Sequence, residues 1–407
     1  MQVEWRPVAL DDLLGDDHRA RAVWQYVDGL DLTPLYKPIR ATASEAGRPA
    51  TDPKILLALW LYATVDGVGS ARALARLCEE HVAYQWLCGG VPMNYHTLAD
   101  FRTAHVAFLD ALLTQSVAAL MAEGLVELTR VAQDGMRVRA SAGAASFRRR
   151  ATLERCQAEA EAQVQALRGE LDTDPAASTE RQRTARERAA RERSARVAQA
   201  LAHLPALEAK KVAAEQAKAR ASTTDPEARV MKMADGGFRP AYNFQLATDT
   251  TTQLIVGVDV INEGSDRGQL APMVEQLEDR HQEPPAAMLV DGGFATLADI
   301  ETVTPATTVY APVPRPKNPA RDPYVPLPSD SPAVAAWRQR MGTPEAQAIY
   351  KERAATAECV NAQARNRGLL RLLVRGLVKV RAVALWYALA HNLMRTLALR
   401  AALAPAT

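Results

Sequence analysis

Three observations predict an α/β protein: a mixed sheet flanked by helices, with an all-helical amino-terminal domain and a helical-hairpin insertion. Residues 1–124 carry a succession of helix start and stop signals. From Leu125 the apolar period shortens toward two and Val and Thr gather. A densely charged stretch, 146–221, interrupts that pattern with apolar residues at three- and four-residue steps. With 407 residues, 48% of them hydrophobic, the chain has material for two or three domains of roughly 100 to 200 residues each.

Composition excludes several classes. Lys and Arg number 49 against 47 Asp and Glu, so the net charge of +2 makes no strong global field and any polyanion-binding surface must be local. The four cysteines are widely spaced without a CxxC pair, which argues against a zinc ribbon or a disulfide framework and suits a reduced cytoplasm. The start, MQVEWRPVALDDLLGDD, lacks a basic n-region, and no stretch of 18 apolar residues occurs, so neither export nor a membrane span is expected.

In order along the chain, Asp52-Pro53 starts a helix through KILLALWLYATV that is apolar on most faces, and Gly67 and Gly69 stop it. Ser70 caps ARALARLCEE, and a last helix runs from about His96 to Gly124. Such helices suit either a helix-turn-helix-like DNA-binding module or plain packing. LTRVAQDGMRVRA is a first strand holding Asp134. Leu153, Cys156, Ala160, Val164, Leu167 and Leu171 make one seam; the turn at 172–178 and a second helix from about Thr179 to Leu204, ending near Pro205, complete an antiparallel arm. AYNFQLATD and LIVGVDVI form a hairpin, 266–279 a crossover helix, and AAMLV a buried parallel strand with Asp291 just past its end. A short helix near Leu297 to Glu301, a strand at 307–313 and a proline-rich loop follow, then helices over 343–366 and 376–402. The expected domains are 1–124, then 125–145 with 222–370, the insertion 146–221 and a carboxyl-terminal helix 371–407.

Ligands of open sheets collect at strand carboxyl ends, so Asp134 and Asp291 could share a site. The helix over 343–366 offers Glu345, Glu352 or Glu358 as a third acid. At roughly 100° per residue, Tyr350, Arg353, Glu358 and Arg365 fall within an arc of about 140°. Three oxygen donors without His or Cys suit Mg²⁺ or Mn²⁺ rather than zinc. Two such ions serve phosphodiester displacement, with arginines holding phosphates. Asp235 reads as a turn residue, and Asp249, Asp259 and Asp266 as caps of strands and the crossover helix. His391-Asn392 reads as a satisfied core pair. Gly236-Gly237 and Gly292-Gly293 match no nucleotide-binding loop, so ATP or NAD use is not expected.

DGMRVRASA, RVMKMADGGFRPAYNFQLATD, NEGS at 262–265, LVDGGFA and the tail from YKERAATAECVNAQARNRG onward together resemble bacterial insertion-sequence transposases of the DDE class. KPIRATASEAGRPATDPKILLALWLYATVDGVGSARALARLCEEHVAYQWLCGG is similar to that family's amino-terminal helical domain. The resemblance implies a ribonuclease-H-like catalytic domain in which Asp134, Asp291 and Glu358 bind two Mg²⁺ ions. It also implies that Tyr350, Arg353 and Arg365 contact transposon-end DNA. Arg365 stands where lysine is commoner and Asn361 where an aromatic residue is frequent; the Tyr and Arg spacing favours Glu358 over Glu352. The implied partners are inverted-repeat ends and target DNA, bound by a homodimer on paired ends in the bacterial cytoplasm, at the nucleoid. Rival expectations are a metal-dependent nuclease without strand transfer and an inactive, transposase-derived DNA-binding protein.

Overall fold

The computed structural model describes residues 9–39, 50–173 and 180–403. The turn expected at 172–178 therefore lies largely outside the described residues.

Among the described residues there are eight strands: β1 (Val131–Arg139), β2 (Phe147–Arg148), β3 (Ala221–Ser222), β4 (Arg229–Lys232), β5 (Phe238–Asp249), β6 (Ile255–Ile261), β7 (Ala287–Leu289) and β8 (Thr308–Tyr310). β1 sits mid-sheet, antiparallel to β5 on one side and parallel to β7 on the other; β8 continues in parallel beyond β7. β4 and β6 share the far side of β5. The expected β5–β6 hairpin is present, and the crossover helix Leu270–His281 returns the chain to β7 as a parallel strand. The fold is thus mixed α/β.

The expected helix from His96 to Gly124 is two helices, Tyr95–Ala104 and Val106–Ala122, bent by 63° at His105. Neither Pro nor Gly marks the break. It turns Leu98 and Phe101 on one helix and Leu109 and Leu113 on the other into one core, an orientation that local propensity does not encode. Among the described residues, no single helix is long and apolar enough to cross a membrane.

The insertion is the expected antiparallel pair, Arg150–Thr173 and Glu180–Ala209, joined to the body through the two-stranded β2–β3 ladder. Its second helix does not end at Pro205 but passes through it. Leu153, Ala200 and Leu204 close a small core with Ala219 and Ala221 at this end of the arm, and this packing outweighs the roughly 3 kcal/mol that a helix-interior proline costs.

The helix Leu377–Leu403 runs through the middle of the molecule, with Trp386, Tyr387 and Leu385 buried. It also covers an exposed strand edge. Asn392 both accepts from the Ile255 N–H and donates to the Ile255 carbonyl, each at 2.8 Å. Gln276 of the crossover helix clips Val258 in the same two-way manner, at 2.9 and 3.1 Å. Two side-chain amides thereby satisfy the free side of β6, whose buried backbone groups would otherwise be orphaned.

Candidate functional site

The register of the central strands brings two carboxylates together. Ala132 of β1 pairs with Leu289, the last residue of β7, and two residues on, past the end of β7, Asp291 comes near enough to Asp134 for its charge to act on that carboxyl. Because side chains alternate, Asp134 shares the face that carries Ala132. Asp291 is turned by its own loop, accepting from the Gly293 N–H at 2.7 Å, and Asp134 accepts from the Gly135 N–H at 3.0 Å.

Residues Pro344–Asn366 cross this face as one helix interrupted by a π-helical turn at Ala354–Glu358. Ala357 in that turn packs on Ala132, Ala287 and Leu289. The turn also changes which residues face together. In a regular helix Arg353 and Asn361, eight residues apart, would lie about 80° apart; the extra residue of a π turn takes back about 100°, leaving about 20°. Both indeed converge on Asp134. The Asn361 amide donates to Oδ2 at 2.8 Å, and the Arg353 guanidinium stands 3.8 Å from Oδ1. The same correction narrows the arc of Tyr350, Arg353, Glu358 and Arg365 from about 140° to about 60°.

Burial pushes the Asp134 carboxyl above its ordinary range; Arg353 and the Gly135 N–H pull it back, and the negative charges of Asp291 and Asp266 push it further up. For Arg353, burial works against the charged form but is outweighed by the Tyr350 hydroxyl and the neighbouring Asp134 and Asp291, so its pKa rises. Half-buried Tyr350 thus lies beside Arg353, whereas Arg365 is exposed one turn beyond Asn361. Glu358 is exposed, and its carboxylate has no hydrogen-bond or ion-pair partner among the described residues. The competing acid Glu352 pairs instead with Arg130 at 3.2 Å, and Glu345 is exposed in the first turn of its helix.

On the opposite face of β1 lies a second polar cluster. Asp266, expected to cap the crossover helix, does not; Gln269 occupies the N-cap position. Its carboxylate accepts from Asn243 at 2.6 Å, Gln245 at 2.8 Å and Arg137 at 3.0 Å. It reaches so far in because residue 135 is glycine: a Cβ there would sit 2.0 Å from Asp266 Oδ1. Spacing alone carries no trace of this, since the three donors come from two strands.

Asp235 behaves as expected, closing a turn with the Gly237 N–H and pairing with Arg239, and Asp249 ends β5 and accepts from Thr252 in the β5–β6 turn. Asp259, expected as a cap, lies inside β6 opposite Gln245 instead, 3.7 Å from Arg381. His391 and Asn392 are the buried core pair expected; His391 Nε2 bonds the Gln253 carbonyl at 2.8 Å alongside the Asn392 clip, but its buried Nδ1 has no partner, so the pair is satisfied only in part.

The donors around Asp134 fit a hard cation in type. They are oxygens with no thiol or imidazole among them, and the buried Asn361 Oδ1 is left without a partner beside the carboxylate. Among the described residues no three acidic, His or Cys side chains are gathered closely enough to hold an ion. In the arrangement seen, the charge of Asp134 is answered by Arg353 and Asn361, while Glu358 is exposed. Asn361, read from sequence only as a departure from an aromatic position, is the contact that sequence reasoning missed; a short polar residue between the buried Val360 and Ala364 is its signal.

Two family comparisons match. Residues 8–104 match a family described as transposase domain (DUF772), and residues 328–397, which span the π turn, Glu358 and Arg365, match a family described as transposase DDE domain. No curated protein and no solved structure matches. With one transposase family at the helical front and the other across the helix that meets Asp134, the two matches support an insertion-sequence transposase of the DDE class.

Proposed function

We propose that this transposase cleaves the ends of its element and joins the freed 3′-hydroxyls to target DNA at Asp134, Asp291 and Glu358. The observation that carries the reading is the nearness of Asp291 to Asp134, which lies under the π-turned helix that bears Glu358. The sheet, antiparallel through β5 and β6 and parallel through β7 and β8, supports a ribonuclease-H-like assignment for 125–145 and 222–370. On this division 1–124 is the helical DNA-binding domain, 146–221 the insertion and 371–407 the closing helix.

When bound at these carboxylates, a pair of Mg²⁺ ions, for which Mn²⁺ can substitute, supplies activation of a water or 3′-hydroxyl and stabilisation of the leaving oxygen. The chain's own residues do the rest. Asn361 fixes the Asp134 carboxylate in orientation, and Arg353 and Tyr350 offer hydrogen bonds to a phosphate, with Arg365 further along the DNA. Transesterification conserves the phosphodiester bond, so positioning and charge neutralisation suffice without an external energy source. One site per DNA end calls for a homodimer on paired ends.

The test is Mg²⁺-dependent cleavage of a duplex carrying the element's end. Asp134→Asn, Asp291→Asn and Glu358→Gln should each lower cleavage by roughly 10³-fold or more while end binding persists. Unchanged cleavage in any of the three removes that residue from the site. A pre-cleaved end that is never joined to a second duplex would favour the nuclease.

A further inference from the structure

β1 runs on past the carboxylate to Arg139, and the segment after the π-turned helix lies against that end. The Arg139 N–H donates to the Leu370 carbonyl at 3.2 Å and the Leu372 N–H to the Arg139 carbonyl at 2.7 Å, which sets Arg139 and Arg371 side by side in a parallel bridge. Arg375 reaches back to the Ser141 carbonyl at 3.3 Å. All three side chains are exposed, and none has an ion-pair partner among the described residues. The imbalance is regional: residues 359–407 hold eight Lys and Arg and no Asp or Glu. Two carboxylates reach this segment, and both accept from its backbone instead: Asp225 from the Gly376 N–H at 3.2 Å and Glu227 from the Leu377 N–H at 2.9 Å.

Like charges set directly opposite one another on neighbouring strands are destabilising, so this arrangement is poorly explained by the fold alone. A polyanion would compensate it. We propose that Arg139, Arg371 and Arg375 form a seat for the phosphate backbone of duplex DNA on the face of β1 opposite Asp134, the face that also carries Arg137. A second copy of this face is an unfit occupant, because it would bring cation against cation. The inference rests on the catalytic reading above for its partner, DNA.

The test uses the full chain without divalent metal, a 30-base-pair mixed-sequence duplex as probe, and the affinity measured across a salt series. The triple variant Arg139→Gln, Arg371→Gln, Arg375→Gln should flatten the slope of log affinity against log salt by about 0.9 per lost phosphate contact, about 2.7 in all. The corresponding triple Lys variant should restore most of the slope, because charge rather than shape sets it. A Gln triple with the wild-type slope overturns the seat, and so does a Lys triple as flat as the Gln triple. Those outcomes leave the catalytic reading standing if Asp134→Asn still abolishes cleavage. Conversely, a flattened slope together with unimpaired cleavage by Asp134→Asn overturns the catalytic reading and keeps the seat. A wild-type chain that does not bind the duplex overturns the seat and leaves the catalytic reading to the cleavage test.

Discussion

Two successive helices each bury one asparagine, and the two asparagines behave differently. Asn392 spends both ends of its amide on Ile255, donating and accepting at 2.8 Å. Asn361 donates to Asp134 at 2.8 Å, yet its own carbonyl oxygen is buried without a partner. The helices differ in the same way. Leu377–Leu403 is regular and threads the core, whereas Pro344–Asn366 carries a π turn and lies on the sheet through small residues, Ala357 and Ala364 among them. A polar group satisfied at both ends does architectural work, since its free energy is spent when the chain folds. One left half-satisfied beside a carboxylate under like-charged neighbours marks a place where folding stops short and a ligand can complete the bonding.

That contrast can be broken most forcefully at Asn392. Asn392→Leu removes both bonds to a buried strand edge and leaves two backbone groups unpaired, at roughly 2 kcal/mol each. Denaturant unfolding should show a loss of about 4 kcal/mol, and a loss below 1 kcal/mol would mean that water takes over the edge.

His391, next to it, sharpens the point through pH. Burial holds the His391 pKa down, to about 4 against an ordinary 6.5. A depressed folded-state value means the unfolded chain binds the proton more readily. The stabilising contribution is therefore complete above pH 6.5 and fades as pH falls toward 4, amounting to about 3 kcal/mol in all. His391→Gln should then lose less stability between pH 7 and pH 4 than the wild type; parallel losses would show that His391 stays solvated.

Asn361 should give the smallest change in stability and a change of another kind. Asn361→Leu removes one hydrogen bond but also one orphaned oxygen, so the melting temperature should move little. The Mg²⁺ requirement of cleavage should rise or the rate fall by roughly 10- to 100-fold, as for other side chains that orient a metal ligand. A large stability loss with unchanged metal dependence would make Asn361 a second Asn392.

The elements of this site differ in how far they could be read from the sequence. Asp134 was placed on a strand by the alternation around VAQDGMRVR, and Asp291 just past a strand by the short apolar run AAMLV, because burial on two faces leaves that pattern in the chain itself. Their mutual register was not legible, since pairing depends on which strands meet. The π turn was likewise invisible: AATAE is ordinary helix-forming sequence, and the extra residue is tolerated where Ala357 must meet Ala132 and Leu289. On a regular helix the four residues spread over about 140°; the π turn swings the residues after it back by about 100°, so that Asn361 joins Arg353 on Asp134. Asp266 shows the same limit, its donors coming from β1 and β5 and its space from the missing side chain of Gly135.

The sequence by itself determined where most helices and strands would form, though not the break at His105 or the run through Pro205, together with the local concentration of cations after Glu358 and the types of oxygen donor available, since these follow from neighbour-to-neighbour chemistry and from side-chain identity. Only the tertiary structure decided which carboxylates come near one another, which asparagine is left half-bonded and which arginines are pressed together. Those outcomes depend on the packing of segments far apart in the chain, where one residue of register or one π turn moves a side chain by about 100° around a helix or to the other face of a sheet.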